Sequence, residues 1–400
     1  MNVAIINVLG KTKSTGKIAY GLHTYLKRHR NRSVIYYGRW DEGDDGSESD
    51  VVRISSDLDN HMHAACARVF GNQGEYSASA TKRLLRLLDE QDPDAVYLLN
   101  LHGYYLNFPM LFDYLGKHRI KTICLMLDEY FFLGKCANAL DCVKYRKDCR
   151  GCPAVREYPK SLLLDRAHHL LVKKAAAYRK VPNITFVGIP YTVRCAKESF
   201  LLRDAHFVEM DEAIDLKTYF PRNTTSLRRE LGIPKENKVI LTIAPYSDPR
   251  KGGKYFMEAV RRLSDRTDMT FLYLVYDGDP TECPPSVIPI AYVRDQGLLA
   301  TYYSLADMFV CPSLAETVAN TCLEALACGT PVLGFDVCGM PDSADAEHGT
   351  FVPAGDVAAL TEVIARTERK DAARINSCRA YAESRYDSED YFKKLEQMAR

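Results

Sequence analysis

The sequence lacks any apolar run of about 20 residues, the length that a helix needs to cross a membrane. Its first apolar stretch, within MNVAIINVLGKTKSTGK, is too short and too early for a secretory signal peptide. It also lacks net charge, because 53 Lys and Arg stand against 52 Asp and Glu. We therefore expect neither a membrane-spanning protein nor a dedicated nucleic-acid binder, which is usually basic overall.

Acidic residues are absent from the first 40 positions, which hold eight Lys or Arg. Positions 1–200 carry 30 basic and 21 acidic residues, whereas positions 201–400 carry 23 and 31. The near-neutral total is therefore the sum of a basic and an acidic half. A basic first half fits a surface that approaches anionic lipid headgroups or an acceptor pyrophosphate, and an ordinary solvated surface is the alternative.

Disulfide-rich scaffolds are short secreted chains, and this sequence does not match them. Its 13 cysteines are odd in number, and most lie in apolar runs such as CLEALACGTPV. We therefore expect a reducing environment and a cytoplasmic protein, either free or peripheral at the inner face of the cell membrane.

Short β-branched runs alternate with amphipathic stretches along all 400 residues, which predicts parallel sheets covered by helices. Two such series meet at IDLKTYFPRN (214–223), which lacks periodicity and is interpreted as a linker. We therefore predict an N-terminal domain over 1–215 and a C-terminal domain over 222–385. An amphipathic helix over 388–400 is expected to pack back on the first domain. Residues 128–160, rich in Cys, Lys and Arg, interrupt the pattern as a long loop.

The segment PSLAETVANTCLEALACGTPVLGF (312–335) carries the strongest chemical signal. A strand ends at Pro312, and a helix is predicted to begin around Thr317 and Val318. Glu316 would lie at the entrance of this helix and Glu324 about two turns further along. The N-terminus of a helix suits a phosphate or a sugar hydroxyl, and two carboxylates can accept hydrogen bonds from vicinal hydroxyls.

This segment resembles the donor domain of family 4 retaining glycosyltransferases, which have the GT-B fold of two Rossmann-like α/β domains facing across a cleft. The resemblance implies that Glu316 contacts the donor sugar and Glu324 the nucleotide ribose. The loop in APYSDPRKGGKYFMEAV (244–260) resembles the family's phosphate-binding loop, so Arg250 and Lys251 would neutralise the diphosphate. The other implied donor-binding residues are Gly252, Val293, Arg294, Thr317, Val318 and Ala319.

The first half resembles a narrower subgroup, the glycosyltransferases of bacterial exopolysaccharide and colanic-acid-type synthesis. Two segments carry this resemblance, NVLGKTKSTGKIAYGL (7–22) and LNLHGYYLNFPMLFDYL (99–115). The first is predicted as a glycine loop between a strand and a helix, where the backbone can approach a phosphate or acceptor oxygen. The residues implied on the acceptor side are Gly10, Ser14, Thr15, Gly16, His102, Tyr104 and Asn107.

Three departures from the family pattern lie in the predicted N-terminal domain, one of them around Tyr191 and Thr192, where a Ser-type contact is usual. Leu127 stands where relatives often carry a His, and Asp128 keeps the carboxylate that follows it. Glu212 and Ala213 stand where an Asn-Gly pair is usual. A side chain such as Leu cannot exchange a proton or a hydrogen bond, so Asp128 is the remaining catalytic candidate in this segment.

Four cysteines, Cys136, Cys142, Cys149 and Cys152, fall within seventeen residues of the long loop. Their C-x5-C-x6-C-x2-C spacing fits a structural zinc ion held by four thiolates. Free thiols, a disulfide pair or another metal are alternatives that the spacing leaves open.

These patterns together predict a metal-independent retaining glycosyltransferase of bacterial surface polysaccharide synthesis. Its partners would be a UDP- or GDP-linked sugar and a lipid-linked or saccharide acceptor, with no nucleic acid and no cofactor for catalysis. A non-catalytic sugar-nucleotide-binding relative is the first alternative, because the His and the Asn-Gly pair are missing. A GT-B-fold epimerase is the second.

Overall fold

Every strand pairing is parallel in the computed structural model, which describes residues 1–140 and 142–400. The chain forms two compact units. The first contains Met1–Met210 together with Tyr391–Arg400, and the second contains Asp211–Asp390. The sequence predicts that the first domain ends at residue 215 and that the second runs from residue 222 to residue 385.

The first unit is a seven-stranded sheet in the order β3-β2-β1-β4-β5-β6-β7, with helices between the strands. Its strands are β1 Asn2–Asn7, β2 Arg32–Tyr37, β3 Val51–Arg53, β4 Ala95–Leu98, β5 Lys121–Leu125, β6 Ile184–Gly188 and β7 Phe207–Glu209. Its helices are α1 Lys13–Arg28, α2 Asp57–Phe70, α3 Ala78–Gln91, α4 Phe108–His118, α5 Ala167–Tyr178 and α6 Pro190–Glu198.

The second unit is a six-stranded sheet in the order β10-β9-β8-β11-β12-β13. Its strands are β8 Lys238–Ile243, β9 Met269–Leu274, β10 Val287–Ile290, β11 Met308–Cys311, β12 Val332–Asp336 and β13 Gly349–Pro353. Its helices are α7 Thr225–Glu230, α8 Gly253–Arg262, α9 Gln296–Leu305, α10 Asn320–Ala327, α11 Val357–Arg366 and α12 Ala372–Tyr386, followed by α13 Ser388–Ala399.

The central strands are buried because helices cover both faces of each sheet. Strand β1 is buried from Val3 to Asn7, and Ile5 pairs with Ile35 on one side and Tyr97 on the other. Strand β9 is buried along its whole length. These continuous apolar runs are why the sequence predicts parallel rather than alternating strands, and the predicted α/β class with two Rossmann-like sheets is confirmed.

In each sheet, the order of the strands reverses beside the strand that comes first in the sequence. Strand β1 lies between β2 and β4, and β8 lies between β9 and β11. In open parallel sheets, ligands bind beyond the carboxyl ends of the strands at such a switch point. The loops after β1, β4, β8 and β11 are therefore the places to look for functional side chains.

The last residues of the chain complete the first unit. The ring of Phe392 lies where a Cβ on Gly21 would come within 2.6 Å of it, so α1 can pack closely only with glycine at that position. The Leu395 carbonyl accepts a hydrogen bond from Tyr97, and Asn31 Nδ2 donates to Glu396 Oε1 at 3.0 Å. Among the described helices, none is long and apolar enough to cross a membrane.

Between β5 and α5 the described chain has one regular element, a single 3-10 turn over Lys144–Arg146. This insertion contains all four cysteines of the quartet. Its aromatic residues Phe131, Phe132 and Tyr145 join the core of the first unit. The loop expected over 128–160 is therefore irregular in backbone but anchored by buried side chains.

Candidate active site

The loops after β8 and β11 meet at the switch point of the second sheet. Lys251 Nζ lies 2.6 Å from Glu316 Oε1, and the Leu314 amide donates to the Arg250 carbonyl at 2.8 Å. Gly252 adopts φ +70°, and a Cβ there would lie 1.8 Å from the Pro312 carbonyl oxygen. Only glycine permits this approach, which brings the cation and the carboxylate together.

Arg250 points to a different carboxylate. Its guanidinium binds Asp248, with Nη2 3.0 Å from Oδ2, and its side chain is 67% exposed. Lys251 is thus the cation that contacts Glu316 directly. Arg250 can contact the Glu316 carboxylate only if its guanidinium leaves Asp248.

Helix α10 begins at Asn320, so the prediction that it begins at Thr317 or Val318 is wrong by two to three residues. Thr317, Val318 and Ala319 belong to the preceding loop. The Glu316 carbonyl accepts from the Gly339 amide at 3.1 Å, and this long-range contact holds the segment against the loop after β12 before the helix starts.

Glu324 lies on α10 and is held by two tyrosines. Tyr303 of α9 donates to Glu324 Oε2 at 2.8 Å, and Tyr219 also hydrogen-bonds to this carboxylate. Burial, reinforced by the Glu324 charge, raises the pKa of Tyr303 well above its usual range, so its hydroxyl stays a donor. The sequence analysis did not identify these two tyrosines, because they come from distant segments.

The remaining donor-side residues lie around one apolar cluster. Val293, Val318 and Ala319 belong to the same cluster as Tyr303, whereas Arg294 is exposed. No hydrogen bond or ion pair of the described chain joins Arg294 to Lys251, Glu316 or Glu324. The structure brings Lys251, Gly252 and Glu316 together and leaves Arg294 at the surface.

In the first unit, the loop after β1 is organised by Asp41, which the sequence analysis missed. Its carboxylate accepts from the amides of Lys11 at 2.6 Å, Thr12 at 3.0 Å and Gly43 at 3.0 Å. Burial opposes ionisation of this carboxyl, but the hydrogen bonds outweigh it and lower the pKa of Asp41. A Cβ at Gly10 would lie 3.2 Å from the side chains of Tyr37 and Val51.

The Ser-Thr-Gly sequence is not in this loop. Helix α1 begins at Lys13, so Ser14, Thr15 and Gly16 form its first turn, contrary to the expected loop between strand and helix. Gly16 packs against the Lys11 backbone, where a Cβ would lie 3.0 Å from the carbonyl carbon. The first turn holds no acidic residue, and the N-cap Thr12 donates its hydroxyl to Asp41 instead of capping the helix, so the start of the helix was not recognised.

A histidine–aspartate pair forms where β4 and β5 end. His102 Nε2 lies 2.7 Å from Asp128 Oδ2, and His102 Nδ1 lies 3.0 Å from the Tyr158 hydroxyl. Asn100 Nδ2 also donates to Asp128 Oδ2, at 3.1 Å. Both side chains are mostly buried, at 13% and 19% exposure. Leu127 stands after β5, where relatives often carry a histidine. His102, in the loop after β4, places a histidine beside the Asp128 carboxylate.

The other acceptor-side candidates have packing roles. Asn107 caps α4 through Oδ1, which accepts from the Met110 amide at 3.2 Å. Tyr104 is buried with φ +65°, and its ring meets Tyr158 edge-on at 6.1 Å between centroids. Tyr158 therefore connects Tyr104 to His102, whereas Asn107 holds the backbone that carries them.

Glu129, next to Asp128, serves the insertion. It is buried and accepts hydrogen bonds from the Ala139 amide and, at 2.9 Å, from the Tyr191 hydroxyl. Burial raises the pKa of Glu129. Tyr191, where the family pattern departs, thus has a structural partner in this chain.

All four cysteines of the insertion line one cavity of about 20 Å³. The thiols of Cys136 and Cys152 hydrogen-bond to each other, and no cysteine in the described chain forms a disulfide. The sulfur atoms are not all within 4.8 Å of one another. Over the described residues, that closeness is reached by His23, Glu48 and Asp50, where Lys11 and Lys27 already pair with the two carboxylates.

A larger cavity of about 890 Å³ opens at the other edge of the first sheet. It is lined by residues such as Asp94, Lys121 and Ile184, which lie at the amino ends of β4, β5 and β6. Since ligands of parallel sheets bind at carboxyl ends, we do not assign the active site there.

Part of the second unit matches a known family model. Residues 237–369 match the family model described as glycosyl transferases group 1. Over 167 residues, the chain is 31% identical to a phosphatidyl-myo-inositol mannosyltransferase of Mycobacterium leprae. This alignment covers 39% of this chain and 44% of that relative. It is 23% identical to the putative colanic acid biosynthesis glycosyl transferase WcaC of Escherichia coli K12, over 83% of this chain and 82% of the relative.

Solved structures agree with the fold. The Anabaena Alr3699/HepE protein in complex with UDP has a TM-score of 0.68 at 12% identity, covering 99% of both chains. WaaG, a glycosyltransferase of lipopolysaccharide biosynthesis, has a TM-score of 0.63 at 16% identity, covering 98% of both. The chain spans less than half the length of the first curated relatives it matches, so these comparisons identify a fold and a domain.

Proposed function

Since the chain carries a domain of the glycosyl transferases group 1 family over residues 237–369, we propose that it is a retaining glycosyltransferase that uses a nucleotide-diphosphate sugar. The acceptor would be a lipid-linked or other saccharide of bacterial surface polysaccharide synthesis. The likeness to WcaC, which extends over 83% of this chain and 82% of that relative, supports this setting. The observation that carries the proposal is the 2.6 Å pair between Lys251 Nζ and Glu316 Oε1 at the switch point of the second sheet.

The donor would bind with its diphosphate at Lys251 and its sugar at Glu316. In this role the diphosphate replaces Glu316 as the partner of Lys251, and the released carboxylate accepts hydrogen bonds from sugar hydroxyls. As the bond to the leaving diphosphate breaks, negative charge grows on its oxygens, and the fixed ammonium stabilises that charge. Arg250, by turning from Asp248, adds a second cation. We expect this step to proceed without a divalent metal.

Glu324 would bind the ribose. The hydrogen bond from Tyr303 fixes one carboxylate oxygen at 2.8 Å, which orients the other acceptor positions toward a ribose diol. The HepE structures with UDP and with UDP-glucose make a uridine nucleotide the first donor to test, with a guanosine nucleotide second.

The pair of His102 and Asp128 would serve the acceptor. Asp128 accepts from Asn100 and from the Tyr130 amide at 2.9 Å, so its charge is held in place and can orient the imidazole. The acceptor hydroxyl that bonds to the anomeric carbon of the donor sugar must lose its proton. A histidine backed by a carboxylate is suited to receive that proton. This role replaces the one that Leu127 cannot perform.

The donor assignment is tested by nucleotide binding. We expect Lys251→Ala and Glu324→Ala each to weaken UDP or GDP binding by about 10- to 100-fold, since each removes a hydrogen bond to a charged partner. Glu362→Ala, on the exposed i,i+4 pair with Arg366 of α11, is the matched control and should bind normally. Unchanged affinity in both site variants would place the donor pocket elsewhere.

Turnover is tested separately, by incubating the chain with UDP- and GDP-sugars and bacterial membranes, with and without EDTA. We expect transfer or slow donor hydrolysis that EDTA does not abolish. Nucleotide binding with neither reaction would mean a non-catalytic relative, and release of an altered free sugar without an acceptor would mean an epimerase. Either result would contradict the proposed transfer, and loss with EDTA would contradict metal independence.

We also propose that the first unit contacts the membrane that presents a lipid-linked acceptor. Helix α2 buries the polar residues Asn60 and His63, and it exposes apolar residues at i, i+4 and i+11. The Leu162 amide donates to the Arg68 carbonyl at 2.7 Å, so three exposed leucines lie beside the end of this helix. The resulting apolar surface contains Leu58, Met62, Val69, Phe70, Leu162, Leu163 and Leu164.

Charges of both signs surround the apolar surface, and the basic ones would attract an anionic membrane. Arg68, Lys160 and Arg156 are exposed near its two segments, as are Asp57, Glu157 and Asp165. Apolar side chains rimmed by Lys and Arg bind anionic interfaces, because burial of apolar area and attraction to the headgroups act together. This partner also fits the excess of basic residues in positions 1–200.

A further inference from the structure

The irregular insertion encloses a charge arrangement that the proposed function does not explain. Lys135 and Lys174 are each only 1% exposed, and this burial lowers the pKa of both amines, that of Lys174 to about 7. Lys135 Nζ donates to the carbonyls of Glu157, at 2.9 Å, and Pro159. Lys174 Nζ donates to those of Tyr130, at 2.5 Å, and Leu133, at 2.9 Å.

No carboxylate of the described chain forms an ion pair with either lysine within 4.0 Å. Asp128 acts on Lys174, and Asp165 and Glu157 act on Lys135, only from a greater distance. Lys174 also lies 3.2 Å from the centre of the Tyr130 ring. Two buried cations that are satisfied by neutral carbonyls alone are costly, because burial of a charge without an opposite charge loses its hydration.

Asp128 is the strongest negative influence on Lys174, and the thiols of the quartet are the groups that act on both lysines. Lys135 interacts electrostatically with Cys136 and Cys152, and Lys174 with Cys136 and Cys149. Cys142 completes the lining of the same cavity of about 20 Å³, which is room for one small ion. The four cysteines, Lys135 and Lys144 line this cavity, whereas Lys174 of α5 acts on the thiols from outside the lining.

We propose that Cys136, Cys142, Cys149 and Cys152 bind one Zn²⁺ as four thiolates, with Lys135 and Lys174 as its buried counter-ions. Zinc with four thiolates carries a net charge of −2, which the two ammonium groups neutralise. Binding releases four thiol protons and forms four Zn–S bonds, with no change of oxidation state. The two lysines distinguish this site from a set of free thiols, which would leave both cations uncompensated.

The sulfurs must move toward one another to bind one ion, because among the described residues no three of them lie within 4.8 Å of one another. Tetrahedral zinc has Zn–S distances of about 2.3 Å, which corresponds to about 3.8 Å between sulfurs. Cys136 and Cys152 already hydrogen-bond to each other, and Cys149 adopts φ +55° in a tight turn that directs it to the cavity. Zinc would then hold together an insertion that has almost no backbone ladder of its own.

The zinc site is tested by metal analysis of the full chain purified without a metal-affinity column. We expect about one Zn²⁺ per chain, and cobalt replacement should give the visible and near-ultraviolet bands of tetrahedral thiolate coordination. Cys149→Ser and Cys152→Ser should lose the metal, whereas Cys66→Ser and Cys195→Ser, on α2 and α6, should keep it. Should the serine variants fail to fold, metal content and the cobalt spectrum of the unaltered chain decide alone.

A chain without metal, with all four thiols open to alkylation or with two fewer hydrogens per disulfide by mass, would overturn the zinc site. The counter-ion role has its own test. Lys174→Met keeps the apolar stem and removes the charge, so zinc transfer to a chelator should become about 10- to 100-fold more favourable. Lys173→Met, exposed on the same helix, should behave as the unaltered chain. Equal zinc retention in both variants would contradict it. None of these measurements depends on glycosyl transfer.

Discussion

At the scale of single residues, the main outcome concerns which side chains become neighbours. Sequence motifs identified Lys251, Glu316 and Asp128 as candidates, because each follows a predicted strand. They could not identify the pairing of His102 with Asp128, which are 26 positions apart and meet through adjacent strands β4 and β5. Leu127 therefore removes a histidine from the motif without removing the histidine–carboxylate contact from the fold.

Asp41 gives a prediction at this scale. Its carboxylate accepts from three backbone amides and from Thr12 Oγ1, at 2.5 Å, and holds the loop after β1. Asp41→Asn substitutes an NH₂ donor for one acceptor oxygen, so we expect the free energy of unfolding to fall by about 1–3 kcal/mol. Denaturant unfolding measures this change, and Glu42→Gln, exposed at the next position, is the control. Equal losses in the two variants would show that Asp41 has no special role.

At the scale of elements, sequence periodicity predicted strands well and helix starts less well. The buried runs of β1, β9 and β11 have a single interpretation, because both faces are apolar. The start of α10 could not be derived, since the loop that delays it is held by Gly339, more than 20 residues later. The short edge strands β3 and β13 were missed because edges carry weaker apolar patterns.

Helix α2 supplies a prediction of pH dependence. His63 is buried, with Nδ1 2.8 Å from Ser77 Oγ and Nε2 accepting from the Gly74 amide. Burial lowers the pKa of His63 to about 3, from 6.5. The unfolded state then binds one proton more between these two values, so stability is full above pH 6.5 and falls with acidification by about 1.4 kcal/mol per pH unit.

Unfolding measured at pH 4.5–7 tests this dependence. We expect His63→Gln to remove most of the one-proton slope, although it lowers stability at neutral pH. His61→Gln, on the exposed side of the same helix, should keep the slope. An unchanged slope in His63→Gln would mean that other groups cause the acid sensitivity.

At the scale of the whole molecule, the opposite charges of the two halves correspond to two separate units. The sequence predicted both sheets because strand–helix alternation is a long-range regularity. It did not predict the apolar surface, since Leu58 and Met62 look like core residues of an ordinary amphipathic helix. Only the burial of Asn60 and His63 on the other side of α2 shows that this helix presents its apolar side to solvent.

Vesicle sedimentation tests the apolar surface. We expect the chain to bind vesicles containing phosphatidylglycerol more strongly than pure phosphatidylcholine, and less strongly as salt increases. Replacing Leu58, Met62, Leu162 and Leu163 together with Ser should reduce binding by at least about tenfold. Val172→Ser, at an exposed apolar position on α5, is the control. Equal vesicle binding by the fourfold variant would exclude this surface.

The return of residues 391–400 to the first unit affects the order of events during synthesis. Domains usually fold as they leave the ribosome, the N-terminal one first. Here Phe392 and Leu395 contact Gly21 and Tyr97, so the core of the first unit is completed by residues made after the whole second unit. At about 5–20 residues per second, roughly 10–40 s separate Met210 from this closing segment. The second unit, continuous from Asp211 to Asp390, is therefore complete before the first. Until residues 391–400 are made, the groove of the first unit that binds them stays uncovered.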